Sequence, residues 1–134
     1  MVLDSSAIIA IHLKEAGCDR LLELIDAAVD KAEIILVGVP TLLETAMLLT
    51  ARLGKDARPL ISRFVRHIEA EAVAFNHEHF EAATSAFLRF GRGRHPAALN
   101  FGDCMAYAVA SVAGMPLLFT GTDFSRTDII AVDQ

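Results

Sequence analysis

Apolar residues follow two different spacings along this chain. Continuous apolar runs, bounded by Asp, Gly or Pro, indicate buried strands at Met1–Asp4, Ile34–Val37, Ala72–Phe75 and Pro116–Thr120. Between the runs, apolar residues recur every three or four positions, which is typical of amphipathic helices. The predicted helices run from Ser5 or Ser6 to Lys14, across Leu21–Val29, from Pro40 to Arg52, from Pro59 to His67, from Glu78 to Phe90, and onward from Asp103.

Strands that alternate with helices predict an α/β fold. We expect a doubly wound parallel sheet of about four or five strands, flanked by helices on both faces. The fifth strand is a short edge strand expected at Ile129–Val132, and Asn100 and Gly102 are interpreted as breakers before the last helix. A chain of 134 residues with no linker or repeat predicts one domain over residues 1–134.

Acidic residues recur where the predicted strands end and helices begin. Asp4 follows the first strand, and Glu44 lies in the first turns of the helix after the second strand. Asp103 opens the helix that leads into the last strand, and Asp123 lies three residues beyond that strand. Because sites in open parallel sheets gather beyond the carboxyl ends of the strands, all four acids are candidates for one edge.

Each acid alone also has an ordinary structural interpretation. Asp4 could cap a helix, Thr41 and Glu44 could form a capping box, Asp103 could complement a helix dipole, and Asp123 could be a turn residue. Together, however, crowded carboxylates raise one another's pKa unless a cation binds them. Carboxylate clusters suit Mg²⁺ or Mn²⁺, which can activate water and stabilise a reacting phosphate.

Two other acid-based phosphate chemistries are excluded by missing residues. A receiver-like phosphoacceptor needs a lysine after a late strand, but the lysines are Lys14, Lys31 and Lys55. A haloacid-type phosphatase needs Asp-x-Asp after the first strand, where this chain has Asp4-Ser-Ser. No Ser/His/Asp or Cys/His arrangement competes, and we expect four histidines to be solvated on helix faces: His12, His67, His77 and His79.

Charge and composition narrow the class of protein further. The net charge of −5 argues against a protein that coats nucleic acid generally. Arg92, Arg94 and His95 nevertheless lie together just before the Asp103 helix, where they could contact phosphates or an acidic partner segment.

Several features predict a cytoplasmic location without membrane contact. No apolar run reaches the roughly 18 residues of a membrane-spanning helix. The N-terminus lacks the basic region of a signal peptide. Cys18 and Cys104 lack the spacing of metal ligands and are interpreted as reduced buried thiols.

Three stretches carry a family resemblance that extends over essentially the whole chain. They are MVLDSSA at residues 1–7, GRGRHPAALNFGDCMAYA at 91–108, and PLLFTGTDF at 116–124, the last followed by Thr127-Asp-Ile. These stretches resemble the PIN-domain ribonucleases, and among them the VapC-type toxins of bacterial toxin–antitoxin pairs. The resemblance implies a doubly wound fold, a homodimer, endonucleolytic cleavage of an RNA substrate, and neutralisation by a VapB-type antitoxin.

The resemblance also implies roles for individual acids. Asp4 and Asp103 match the usual Mg²⁺ ligands of the family, and Glu44 matches its acid after the second strand. Asp123 matches the fourth acid, in a stretch where members often carry adjacent acids. Asp128 is the weaker candidate for that place because it lies further from the strand.

Other residues and roles remain open at this point. Ser5 or Thr120 could help to orient a metal-bound water, although small polar residues at strand ends are usually backbone caps. The abundant apolar helices suggest a groove for an antitoxin helix. The alternative to an enzyme is a non-catalytic PIN fold that only binds RNA or protein, and the presence of all four acids counts against it.

Overall fold

The computed structural model describes residues 1–133, which contain four strands, six α-helices and one short 3-10 helix. In chain order these are β1 (Val2–Leu3), α1 (Ser5–His12), α2 (Cys18–Asp30), β2 (Leu36–Gly38), α3 (Val39–Leu53), α4 (Arg58–His67), β3 (Glu71–Val73), α5 (His77–Phe90), α6 (Phe101–Ala113), β4 (Leu117–Leu118) and the 3-10 helix (Phe124–Arg126).

The four strands form one parallel sheet in the order β3-β2-β1-β4. In the centre, Val2 pairs with Leu36 on one side and with Leu117 on the other. The chain therefore winds outward from β1 through β2 to β3, and then returns to place β4 on the opposite side of β1. This confirms the predicted doubly wound parallel sheet, and it puts the topological switch point between β1 and β4.

Side chains on the central strands point alternately to the two faces of the sheet. Val2 and Leu117 pack in one apolar cluster with Tyr107 and Val109 of α6. Their strand neighbours, Leu3 and Leu118, pack in a second cluster with residues of α1 and α2. The two-residue period of a strand thus divides the core into two layers, with helices on both faces of the sheet as predicted.

The expected edge strand at Ile129–Val132 is wrong. Within residues 1–133, that segment contributes only an isolated parallel bridge between Ala131 and Leu117. Two backbone bonds hold it, from Leu117 N to Ile130 O at 2.8 Å and from Val132 N to Leu117 O at 3.0 Å. The segment thus meets β4 at one residue pair only, which makes a bridge and not a strand.

The structure decides three predictions about helix starts. Helix α1 begins at Ser5 and its cap is Asp4, as one interpretation of that acid had it. Helix α3 begins directly after Gly38, so Thr41 lies inside the helix and forms no capping box with Glu44. Helix α6 begins at Phe101, which makes Gly102 its second residue and not a breaker.

The prediction that His79 is solvated is wrong as well. His79 is buried, and it forms a capping box with Asn76 at the start of α5. Its Nδ1 accepts a hydrogen bond from Asn76 N at 3.1 Å, and its ring stacks on Phe75. A histidine in the place that Glu or Gln usually takes in a capping box gives no clear signal in the sequence.

Membrane-spanning segments are absent from the described residues. Every helix within residues 1–133 is too short or too polar to cross a bilayer.

Candidate metal and nucleic-acid site

Asp4 is fixed at the switch point of the sheet. Its backbone N–H donates to Leu118 O at 3.0 Å, which ties the end of β1 to β4. Its carboxylate accepts hydrogen bonds from Ser6 N at 3.0 Å and from Ser6 Oγ at 2.5 Å, and so caps α1. Ser6 Oγ in turn accepts from Thr120 N at 3.0 Å. These bonds hold a buried carboxylate in one orientation beside the carboxyl ends of β1 and β4.

Burial raises the pKa of Asp4 to about 6. The hydrogen bonds from Ser6 work in the opposite direction, and the neighbouring charges of Asp103 and Glu44 raise the pKa further. A buried acid whose ionisation is opposed by two other acids is stabilised by a cation at the same place.

Asp103 lies in the first turn of α6 and is half-buried. Its Oδ2 accepts from Asn100 N at 2.9 Å, and its own backbone N–H donates to Asn100 Oδ1 at 2.9 Å. Burial raises its pKa against the Asn100 hydrogen bond; the charges of Asp123 and Glu44 raise it further, while Arg92 lowers it. The capping box thus uses Oδ2, and the same carboxylate lies among three charged neighbours.

Glu44 approaches the other acids from α3. Ser5 Oγ, next in sequence to Asp4, donates a hydrogen bond to Glu44 Oε1. The other side of the carboxylate lies against Gly102, next in sequence to Asp103. In this structure the Ser5 hydroxyl is therefore bonded to Glu44. This role differs from the orientation of a metal-bound water that the sequence suggested.

The two candidates for the fourth acid differ in their surroundings. Asp123 is exposed at the start of the 3-10 helix, and its charge contributes to the raised pKa of Asp103. Asp128 accepts from Arg89 Nη2 and from Tyr107 Oη, each at 2.7 Å. Both oxygens of Asp128 are thus engaged by α5 and α6, which leaves Asp123 as the acid beside Asp103.

The three inner acids line one cavity of about 740 Å³. Other polar residues of its lining lie at or near the ends of strands and helices: Ser5, Ser6, Glu15, Asn100 and Thr120. The rest of its wall is Gly102 and apolar residues of α1, α3 and α6: Ile9, Pro40, Leu43, Met47, Leu48, Phe101 and Met105. Asp123 is outside this lining.

The donor set fits a hard divalent cation. Among residues 1–133, no three His, Cys, Asp or Glu side chains already form a coordination sphere. Mg²⁺ does not require one, because it keeps several waters and binds through one or two carboxylates. Asp4 and Asp103 are the residues that would bind such an ion, because the buried Asp4 and the half-buried Asp103 present carboxylates to the same cavity.

The three basic residues of the loop after α5 are not equivalent. Arg92 is exposed and close enough to lower the pKa of Asp103. Arg94 folds back on α5, where its Nε donates to Leu88 O at 3.2 Å. His95 packs edge-on against Phe90 and its Nδ1 accepts from Ala97 N at 3.1 Å. Arg92 is thus the member of the group that lies beside the acids.

The sequence of this chain matches a known protein family. A family model described as PIN domain matches residues 1–130. This chain belongs to the PIN domain family.

Close relatives of this PIN-domain chain are VapC ribonucleases. It is 42% identical over 129 residues to ribonuclease VapC36 of Mycobacterium tuberculosis, covering 96% of this chain and 91% of that protein. It is 37% identical over 132 residues to ribonuclease VapC30 of the same species, covering 98% of both. Ribonuclease VapC of Mycolicibacterium smegmatis is also 37% identical over 132 residues, with 98% of this chain and 99% of the relative covered.

Solved structures share the fold of this PIN domain at low sequence identity. VapC20 of Mycobacterium tuberculosis, described as a sarcin–ricin loop cleaving toxin, matches with a TM-score of 0.72 at 17% identity, covering 99% of this chain and 98% of that one. A chain of a toxin–antitoxin complex from Klebsiella pneumoniae matches with a TM-score of 0.67 at 14% identity, covering 98% and 95%.

Ser6, Asn100 and Gly102 are site residues that the sequence did not single out for these roles. The Asn100-x-x-Asp103 spacing is a capping signal that could have been found. The bond of Ser6 to Thr120 and the contact of Gly102 with Glu44 join residues distant in sequence, so no local pattern marks them.

Proposed function

We propose that this PIN-domain protein is the toxin of a VapBC-type toxin–antitoxin pair and acts in the cytoplasm as a Mg²⁺- or Mn²⁺-dependent endoribonuclease. The observation that carries the proposal is the meeting of Asp4, Glu44 and Asp103 in one cavity at the carboxyl edge of the sheet. Three separate elements supply these acids, and the VapC ribonuclease relatives supply the class of substrate.

Each residue has a definite part in this reaction. A divalent cation, when bound, supplies the Lewis acidity that activates water and offsets charge on the scissile phosphate. Asp4 and Asp103 present the oxygens that bind it, in orientations set by their capping bonds. Glu44 and Asp123 would add negative charge near the ion and could bind it directly or through water. Arg92 is placed to contact a phosphate of the RNA, with Arg94 and His95 further along the same loop.

An exposed apolar stripe on α3, next to the cavity, supports the proposal that an antitoxin binds here. Val39, Leu43 and Met47 recur every four residues on α3 and are 49%, 60% and 65% exposed. Such a stripe fits the apolar face of a partner helix, and it adjoins the acids that an inhibitor has to cover. A VapB-type antitoxin seated there would block access of RNA to Asp4 and Asp103.

Cleavage by the purified protein tests the enzyme. We expect the wild type to cut a mixture of cellular RNAs in the presence of Mg²⁺ or Mn²⁺, and EDTA to stop cleavage. Asp4→Asn or Asp103→Asn should reduce cleavage by about a hundredfold or more, because each removes a carboxylate ligand. Asp26→Asn, at an exposed position of α2, is the matched control and should cut like the wild type.

The outcome separates an enzyme from a binding module. If both site variants cut as well as the wild type, the proposed mechanism is wrong. If the wild type binds RNA without cutting it under any divalent cation, the protein is a non-catalytic PIN fold. Mapping of new 5′ ends in cellular RNA after induction would then identify the target of an active enzyme.

A further inference from the structure

Gly102 occupies a position where the backbone does not require glycine. It is the second residue of α6, and its φ lies outside the left-handed region that favours glycine. Alanine is the better helix former at a position of this kind. A different reason for glycine is therefore needed, and the surroundings of its Cα give one.

The missing side chain makes room for Glu44. A Cβ added at Gly102 would overlap Glu44 Oε2 and would lie 2.6 Å from Glu44 Cδ and 3.0 Å from Oε1. The neighbour is the end of a side chain, so the clash would be relieved by displacement of the carboxylate. Glycine at 102 thus permits one particular position of the Glu44 carboxylate, against the first turn of α6.

The opposite side of the same carboxylate is also fixed. Ser5 Oγ donates to Oε1, and Ser5 is almost fully buried. Glu44 is consequently enclosed by the sequence neighbours of Asp4 and of Asp103. Glu44, Asp4 and Asp103 all line the same cavity, together with Gly102. The position also lies at the positive end of the α6 dipole, which favours a carboxylate.

We propose that Gly102 is a positioning residue for divalent-cation binding. Because it has no side chain, the Glu44 carboxylate has room to lie beside Asp4 and Asp103. The chemical part of this inference rests on the proposed function; the steric part does not. Gly102 itself binds nothing. Any side chain at 102 would displace the Glu44 carboxylate from this position.

A cycle of variants measured without metal tests the steric part. In EDTA, Gly102→Ala should lower the Tm of the otherwise wild-type protein, because the added methyl group displaces Glu44. In a Glu44→Ala background the same change should raise the Tm, because only the gain in helix propensity remains. Ser111→Ala, at an exposed position of α6, is the control and should shift the Tm equally in both backgrounds. An equal shift from Gly102→Ala in the two backgrounds would overturn the inference.

Binding of Mn²⁺, followed by electron paramagnetic resonance, tests the chemical part. Gly102→Ala should weaken Mn²⁺ binding by about 10- to 100-fold, the range found when support around a metal site is removed. In the Glu44→Ala background it should change the affinity no further. Where RNA is cut, Gly102→Ala should lower kcat and leave KM nearly unchanged.

The two proposals fail separately. If Gly102→Ala and Glu44→Ala are coupled in Tm and in Mn²⁺ affinity but the wild type cuts no RNA, the ribonuclease is refuted and Gly102 remains a positioning residue. A wild type that cuts RNA, with a Gly102→Ala variant that binds Mn²⁺ and cuts equally well, would refute the positioning role alone.

Discussion

Asp4 and Asp103 each serve two purposes with one carboxylate. Asp4 caps α1, Asp103 completes the capping box at the start of α6, and both line the cavity that also holds Glu44. The structural role fixes the orientation of the carboxylate before any ligand arrives. A capping acid is therefore a well-prepared metal ligand, because its rotamer is already determined by the bonds to the helix end.

Ionisation of Asp4 is expected to reduce the stability of the metal-free protein. Its pKa is about 6 in the fold against an ordinary value of 3.8, so the folded state binds the proton more tightly than the unfolded state. Stability should consequently fall as the pH rises from about 4 to about 6, and stay lower above that range. The shift corresponds to about 3 kcal/mol at neutral pH.

Asp4→Asn should reverse this penalty, since asparagine caps a helix as well as aspartate does. In EDTA at pH 7.5, urea unfolding should show a more stable variant, with the difference vanishing near pH 4. Added Mg²⁺ should stabilise the wild type and not the variant. A variant that is less stable than the wild type at pH 7.5 would contradict the pKa argument.

At the scale of elements, Asp128 links the segment after β4 to two helices. Its carboxylate accepts from Tyr107 of α6 and Arg89 of α5, and burial raises the pKa of Tyr107 to about 12, with the Asp128 hydrogen bond adding to the effect. This network fixes the segment that also carries Asp123. It gives Asp128 a structural part, separate from the acids of the cavity.

Removal of Asp128 should therefore loosen the end of the chain. Asp128→Ala leaves the buried Tyr107 hydroxyl without its acceptor, at a cost of about 1–3 kcal/mol. Amide exchange of residues 121–133 should become faster, while Mn²⁺ affinity should fall much less than in Asp103→Asn. Tyr107→Phe removes the donor as well and should be milder. A loss of Mn²⁺ binding in Asp128→Ala as large as in Asp103→Asn would make Asp128 a ligand after all.

Helices were predictable from the sequence to within a few residues, and strands were less so. Pro40 and Gly54 bound α3, as local signals predict. Strands β1 and β4 have only two residues each in regular pairing, although the buried segments around them are longer. Phe119, for example, is buried but does not belong to β4. An apolar run in the sequence indicates that a segment is buried, and the buried segment is longer than the paired strand.

The convergence of the inner acids was predictable for a topological reason. Parallel strands bring their carboxyl ends to one edge, so acids that follow β1 and β2 meet without any knowledge of side chains. The contact between Glu44 and Gly102 could not be predicted in this way, because it joins α3 to α6 across 58 positions of the chain. Likewise, the local capping box predicted for Glu44 failed because α3 begins three residues earlier than a cap at Thr41 would require.

At the scale of the whole molecule, residues 1–133 include at least two exposed apolar surfaces. One is the α3 stripe of Val39, Leu43 and Met47 beside the acids. The other is the face of α5, where Phe80, Phe87 and Leu88 are 54%, 43% and 56% exposed. Uncovered apolar surface of this extent marks interaction sites. Under the proposed function an antitoxin has to cover the acids, so we expect it on the α3 stripe and we expect a second copy of the chain on the α5 face.

The α5 face should therefore mediate homodimerisation. We expect the wild type to elute as a dimer in size-exclusion chromatography with light scattering, and the double variant Phe80→Ser, Leu88→Ser to elute as a monomer, because it removes two large apolar side chains from the contact. Ile34→Ser is the matched control: Ile34 is 54% exposed, but it precedes β2 at the opposite edge of the sheet from the acids. Circular dichroism should show that all variants are folded. A folded double variant that stays dimeric would place the interface elsewhere, with the α3 stripe as the next surface to test by Leu43→Ser.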